Sequence, residues 1–264
     1  MKISIASYSF HGLIEAGMMD AFGYLESCKY RYGLDTADIW NGTLGFSTDE
    51  DYVRKVATAL RERDMVVANV AIDQTAAWDD DPVLREQNHA KALANIQAAE
   101  ILGARTVRID LGGRTSEMTS EQFDVTVQCY REWARRANDN GYRIGPETHF
   151  GPALVPENMK AVYEAVDNPA YGILLHLGHW VQGREDEGDR MAAPWAYHTH
   201  VSAKIVQTCL EEKVRLLLDA GYDGYWGVEH HSGKNEYAET ACQVAEVRRV
   251  LQKIRLEKEA DRGR

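Results

Sequence analysis

The sequence predicts an α/β chain closed into a (β/α)8 barrel as a single domain. Three observations carry the prediction. Eight short apolar runs recur along the 264 residues, at about the spacing of one βα unit, roughly 25 to 40 residues. Longer stretches between them show helical apolar periodicity and recognisable helix ends. No run is followed by a glycine-rich dinucleotide or phosphate-loop signature of the kind that marks many open sheets. Eight units in about 260 residues fit a closed barrel better than an open eight-stranded sheet. No Pro/Ser-rich linker divides the chain. The barrel is expected over residues 1–256, with 257–264 ("EKEADRGR") a charged, frayed tail.

In chain order the predicted strands are Ile3–Tyr8, Leu34–Ile39, Val66–Ile72, Thr106–Asp110, Tyr142–Glu147, Gly172–His176, Tyr197–Val201 and Tyr225–His230. Most are rich in Val, Ile, Leu or Tyr, as strands covered on both faces should be. After the third strand, Asp81 is placed to cap a helix, Pro82 suits its first position and Gly103 its end. After the fourth, Thr119 with Gln122 three residues on forms a capping box. Phe123, Val127, Tyr130, Ala134 and Ala137 then fall on one stripe before Gly141 stops the helix. The last helix starts near Asn235, its candidate cap, and puts Val244, Val247, Leu251 and Ile254 on one face.

Composition narrows the function. The chain is 44% hydrophobic and 27% charged, with a formal net charge of -11. Such a surface repels a phosphate backbone, and no Lys/Arg cluster offsets it, so no nucleic-acid partner is expected. No apolar segment nears the roughly 20 residues needed to span a bilayer, so no membrane partner is expected either. The start "MKISIASYSF" lacks the apolar block of a signal peptide. Cys28, Cys129, Cys209 and Cys242 form no CxxC pair and read as reduced packing residues in a cytoplasmic protein.

The chemistry gathers where a barrel keeps it, at the carboxyl ends of the strands. Strand five ends with Glu147 and His149, strand six with His176 and His179, strand seven with His198, His200 and Lys204, and strand eight with Glu229, His230 and His231. Strand four offers Arg108 and Asp110, strand two Asp38 and Trp40, and strand one His11. A lone histidine is more often a satisfied core group than a ligand, and His89, mid-helix, is read that way. Four successive strands ending in titratable groups point instead to a convergent site. Alternation puts His198 and His200 on one face, and His200 lies nearer the mouth. It also puts Glu229 with His231 and turns His230 away, to a structural role.

With these residues the chain, from "ISIASYSFHG" to "WGVEHH", resembles the xylose-isomerase-like TIM barrel superfamily. Within it the chain resembles the sugar phosphate isomerase/epimerase branch, which is similar to tagatose and psicose epimerases and related to endonuclease-IV-type barrels. The resemblance implies a divalent metal held by Glu147, position 176, His200 and Glu229. Substrate contacts are expected from His11, Trp40, Arg108, His179, Lys204 and His231. Two positions depart from the family pattern. The strand-six Asp-x-x-His is His176-x-x-His179 here, with the spacing kept. The lysine two residues past the strand-seven histidine is Ser202, with Lys204 later. With His176 as a ligand, two histidines and two glutamates leave the site formally neutral around M2+, where three carboxylates would leave it at -1. Mixed N/O ligation suits Mn2+ first, and Co2+, Fe2+ or Zn2+, over Mg2+ or Ca2+.

The reaction so implied is sugar isomerisation or epimerisation. A proton alpha to a carbonyl is removed and the metal stabilises the enediolate, with Glu147 and Glu229 as the base/acid pair and His149 the competing base. The alternative keeps the first step and then eliminates the aglycone of a 3-keto-glycoside, as in lyases that work with a small partner subunit. A nuclease is disfavoured by the acidic balance, and a non-catalytic sugar-binding barrel by the number of costly titratable groups. The expected partners are a small carbohydrate or keto-glycoside, together with a homo-oligomeric copy or a small partner subunit.

Overall fold

The computed structural model describes residues 1–262. Eight parallel strands alternate with helices: β1 (Ile3–Ile5), β2 (Thr36–Trp40), β3 (Val66–Trp78), β4 (Thr106–Gly112), β5 (Arg143–Gly145), β6 (Ile173–His176), β7 (Ala196–Ser202) and β8 (Trp226–Glu229). The ladders run β2-β3-β4-β5 and β1-β8-β7-β6. Isolated parallel bridges, Ala6 to Asp38 on one side and Ile144 to Tyr171 and Glu147 to Leu174 on the other, close the two halves into a barrel. The helices are α1 (His11–Glu15), α2 (Ala21–Glu26), α3 (Glu50–Glu62), α4 (Pro82–Leu102), α5 (Ser120–Asn140), α6 (Pro156–Val166), α7 (Glu185–Ala192), α8 (Ala203–Thr208), α9 (Leu210–Asp219) and α10 (Glu236–Arg262). Among the described residues no helix is long and apolar enough to cross a membrane.

Strand alternation sorts the core. Ile5, Ile39, Ile72, Ile109, Ile173 and Val228 are buried among the apolar residues of the helix-packed core. The intervening positions turn polar groups into the barrel. On the outer ring, Val244, Val247, Val250 and Ile254 bury the inner face of α10, while Leu251 is only partly covered.

The helix ends obey local chemistry. Asp81 accepts from the Val83 amide and Gly103 closes α4 at φ 74°. Thr119 accepts from the Gln122 amide and Gly141 closes α5 at φ 76°. The Gln122 side chain does not complete the expected box: it donates to the Gly112 carbonyl and ties the helix to β4. Asn235 starts α10 in the left-handed region (φ 50°), its carbonyl accepting from Ala238 and Glu239. Residues 257–262 continue α10, where Glu257 pairs with Arg215 of α9 and Arg255 with Glu259. Gly263 and Arg264 lie outside the described residues.

Candidate functional site

At the carboxyl ends of β5 to β8, Glu147, His176, His200 and Glu229 bring one donor atom each within 4.8 Å of one another. His176 Nδ1 lies 3.1 Å from Glu147 Oε1 and 3.4 Å from Glu229 Oε2. His200 Nδ1 lies 3.1 and 3.3 Å from the same two oxygens. Ligands about 2.0–2.2 Å from a cation stand roughly 3.0–3.6 Å apart, depending on geometry. All four residues are buried, and Glu229 Oε2 has no hydrogen-bond partner. The donor set therefore fits a divalent cation of N/O preference.

A charged layer surrounds these four. Arg108 Nε stands 3.0 Å from Glu147 Oε2, and its Nη1 lies 2.6 Å from Asp73 and 3.0 Å from Asp110. Burial pushes the Glu147 carboxyl up, but Arg108 and His200 outweigh it and hold it well below the usual range. Burial likewise opposes ionisation of Glu229, which His200, His231 and His176 hold well below that range. Burial disfavours the charge on His200, yet Glu229, Glu147 and Asp38 raise it far above an ordinary imidazole. His149 follows the same logic: burial opposes its charge, while the Asp110 carboxylate, 3.2 Å from Nδ1, lifts it to about 9. Burial, reinforced by His176 and His149, lowers His179. The arrangement combines four donors that could hold a cation with neighbouring imidazoles shifted in opposite directions.

These groups line a cavity of about 340 Å³. Trp40, Arg108, His149, His179 and His231 face it together with the four donors. Tyr8 and Trp40 meet edge to face at 5.2 Å, and His231 Nε2 lies 3.2 Å from Glu229 Oε2. Three carboxylates pair with Arg108 through its Nε and Nη1. Two residues expected as substrate contacts lie outside the lining. His11 stacks behind the Tyr8 ring at 4.5 Å and bonds the Tyr8 carbonyl, outside the cavity lining. Lys204 is exposed on α8, also outside the lining. His230 is bonded to Ser232 and the Lys234 carbonyl, and His89 bridges α4 to Glu132 of α5.

Asp73 is the cavity residue that the sequence reading passed over. It accepts from Trp40 Nε1 at 2.8 Å and pairs with Arg108. Its signal was present: it follows the predicted third strand by one residue, but a register shift between Ile72 and Ala76 disguises the strand's end.

Residues 30–254 match the xylose isomerase-like TIM barrel family. No curated protein matches the chain in sequence. Among solved structures, a D-tagatose 3-epimerase-like protein superposes with a TM-score of 0.76 at 19% identity, covering 98% of this chain and 99% of that one. A xylose isomerase-like TIM barrel protein from Mycobacterium smegmatis, in complex with magnesium, gives 0.74 at 17% identity, covering 95% and 96%. The 3-keto-D-glucoside 4-epimerase of E. coli gives 0.71 at 15% identity, covering 94% and 99%. At these identities the likeness is one of fold.

Proposed function

The chain belongs to the xylose isomerase-like TIM barrel family, and from that premise we propose that it is a divalent-metal-dependent sugar isomerase or epimerase that removes a proton alpha to a carbonyl. The observation that carries the reading is the buried two-histidine, two-glutamate cluster at the floor of the cavity. The names of the tagatose and keto-glucoside epimerases with this fold support the substrate class. A cation bound there supplies Lewis acidity toward a carbonyl and its neighbouring hydroxyl. Mn2+ fits the mixed donors best, with Co2+, Fe2+ and Zn2+ as substitutes.

The chain's own residues do the rest. Glu147 and Glu229 approach the cluster from different strands and serve as the proton-transferring pair. Each has a neighbour that favours its ionised form: Arg108 beside Glu147 Oε2 and His231 beside Glu229 Oε2. Tyr8 and Trp40 offer ring surface to the C–H face of a sugar, and His179 offers a hydrogen bond.

A second reading rests on His149. Held cationic by Asp110 beside the cavity, it is placed to protonate a departing oxygen, as elimination from a 3-keto-glycoside requires. Both readings start with loss of the alpha proton. The test is turnover of a panel of free keto-sugars and 3-keto-glycosides deuterated at that carbon, with metal content measured alongside. Epimerisation or isomerisation moves or exchanges the label, whereas elimination releases the aglycone. No label movement and no release on any member would overturn the proposal.

A further inference from the structure

Beneath the four-donor cluster lies a second polar layer, in a place where such a barrel ordinarily packs branched apolar side chains. Ser4 of β1, Asp38 of β2, Asn69 of β3 and His198 of β7 are each 0% exposed, and Thr106 of β4 is 6% exposed. They form one connected set. Thr106 Oγ1 donates to Asn69 Oδ1 at 2.9 Å, and Asn69 Nδ2 donates to Asp38 Oδ1 at 3.0 Å. Asp38 Oδ2 lies 2.6 Å from His198 Nε2 and accepts from Ser4 Oγ at 3.3 Å. β8 contributes by omission: a Cβ on Gly227 would stand 2.8 Å from Asp38 Oδ2 and 2.9 Å from His198 Nε2. Burying this much polarity is costly unless it serves a geometry.

That geometry converges on one ring. His200 turns Nδ1 to Glu147 and Glu229, while its buried Nε2 makes no hydrogen bond. The carboxylate recorded behind Nε2 is that of Asp38, 3.4 Å away. We propose that Asp38, clamped by Asn69 and His198, is a positioning residue that keeps the proton of His200 on Nε2 and so presents Nδ1 to the cation. The inference rests on the metal-site reading above. Asp38, His198 and His200 do not form a second cation seat. At 2.6 Å, Asp38 Oδ2 and His198 Nε2 share a proton, and two ligands of one ion stand about 3 Å or more apart. A carboxylate behind a ligating histidine fixes its tautomer and raises its basicity, and losing such a partner weakens metal binding about 10- to 100-fold.

The experiment uses the full chain, stripped with a chelator and titrated calorimetrically with Mn2+ and Co2+. Denaturant unfolding of the metal-free protein is measured in parallel. Wild type should bind one ion per chain. Asp38→Asn, which keeps the shape and removes the charge, should raise Kd about 10- to 100-fold and perturb the visible spectrum of the Co2+ form. Asn69→Ser, which loosens the clamp and leaves Asp38 charged, should weaken binding less and keeps the test open if Asp38→Asn does not fold. A purely structural layer would lower the metal-free midpoint and leave the Kd of the folded protein unchanged. Wild-type binding with both variants within twofold of it would overturn this inference alone, as would two ions per chain. No binding by wild type would overturn the metal reading and this inference with it.

Discussion

His176 departs from the carboxylate that the family resemblance implies at the end of strand six, and it is the residue whose chemistry differs most from that pattern. Exchanging it changes the charge and softness of the donor set while the other three donors stay in place. His176→Asp should retain one bound ion and shift competition toward Mg2+ and Mn2+ over Zn2+ and Co2+, read by equilibrium dialysis against metal mixtures. Equal binding by His176→Ala would remove it from the ligand set. His149 gives a pH prediction. Its folded value is raised from 6.5 to about 9. The pair with Asp110 therefore contributes in full below about 6.5 and is lost as pH rises through about 9. If His149 donates the proton, activity should fall through that upper limb, and His149→Gln should abolish the limb in the pH profile while leaving metal content unchanged. The residues carrying these predictions were legible because burying a titratable group is costly and strand alternation says which way it points. Lys204 and His11 stand outside the lining for local reasons. Residue 203 opens α8, so Lys204 points to solvent, and the 3-10 turn at Ser7–Phe10 carries His11 behind Tyr8.

At the scale of the element, the turn after β6 explains how two imidazoles can end a buried strand. Gly178 N reaches both oxygens of Asp189 at 3.1 Å, and Trp180 Nε1 donates to Asp189 Oδ1 at 2.8 Å. Asp189, on α7 and 0% exposed, is in turn paired with Lys213 of α9 at 2.7 Å. One buried ion pair thus fixes the segment carrying His176 and His179 from two neighbouring helices. Removing the Lys213 charge strands a buried carboxylate, at a cost of about 3–5 kcal/mol. Lys213→Met should therefore lower the denaturant midpoint strongly. Adding Asp189→Asn should recover part of the loss, and strict additivity would show that the two groups are not coupled. The eight strands and their spacing could be read ahead because apolar runs and caps are local signals. The Asp189–Lys213 tie could not, because it joins positions 24 residues apart on separate helices and neither has a local signature. The extension of β3 past Ile72 escaped for a related reason. The register shifts there, and Gln74 takes a left-handed backbone at φ 59°, a conformation with no marker in a non-glycine residue.

Over the whole molecule, the barrel trades apolar packing along its axis for a column of charge running from Asp38 up to the cavity. Such a column is stable only when every member is compensated, and without a cation the compensation comes from Arg108 and protonated histidines. This makes the stability of the metal-free protein strongly pH-dependent on the acid side. Glu147 and Glu229 lie well below 4.5 when folded, so their contribution is present above the ordinary carboxylate range and is lost as pH falls through and below it. A bound cation replaces the histidine charge by its own and binds only the folded arrangement, so it adds stability by mass action. At about 1,000 times its Kd the gain is about 4 kcal/mol. Chelator-treated protein should accordingly unfold at a lower temperature than protein in excess Mn2+, with the gap narrowing toward low pH, where protons compete for the same carboxylates. Glu147→Gln and Glu229→Gln should each largely abolish the Mn2+-dependent shift while the metal-free protein still unfolds cooperatively. A melting temperature indifferent to Mn2+ at neutral pH, in protein shown free of bound metal beforehand, would mean that the column is balanced by its own protons and that no ion is needed at its head.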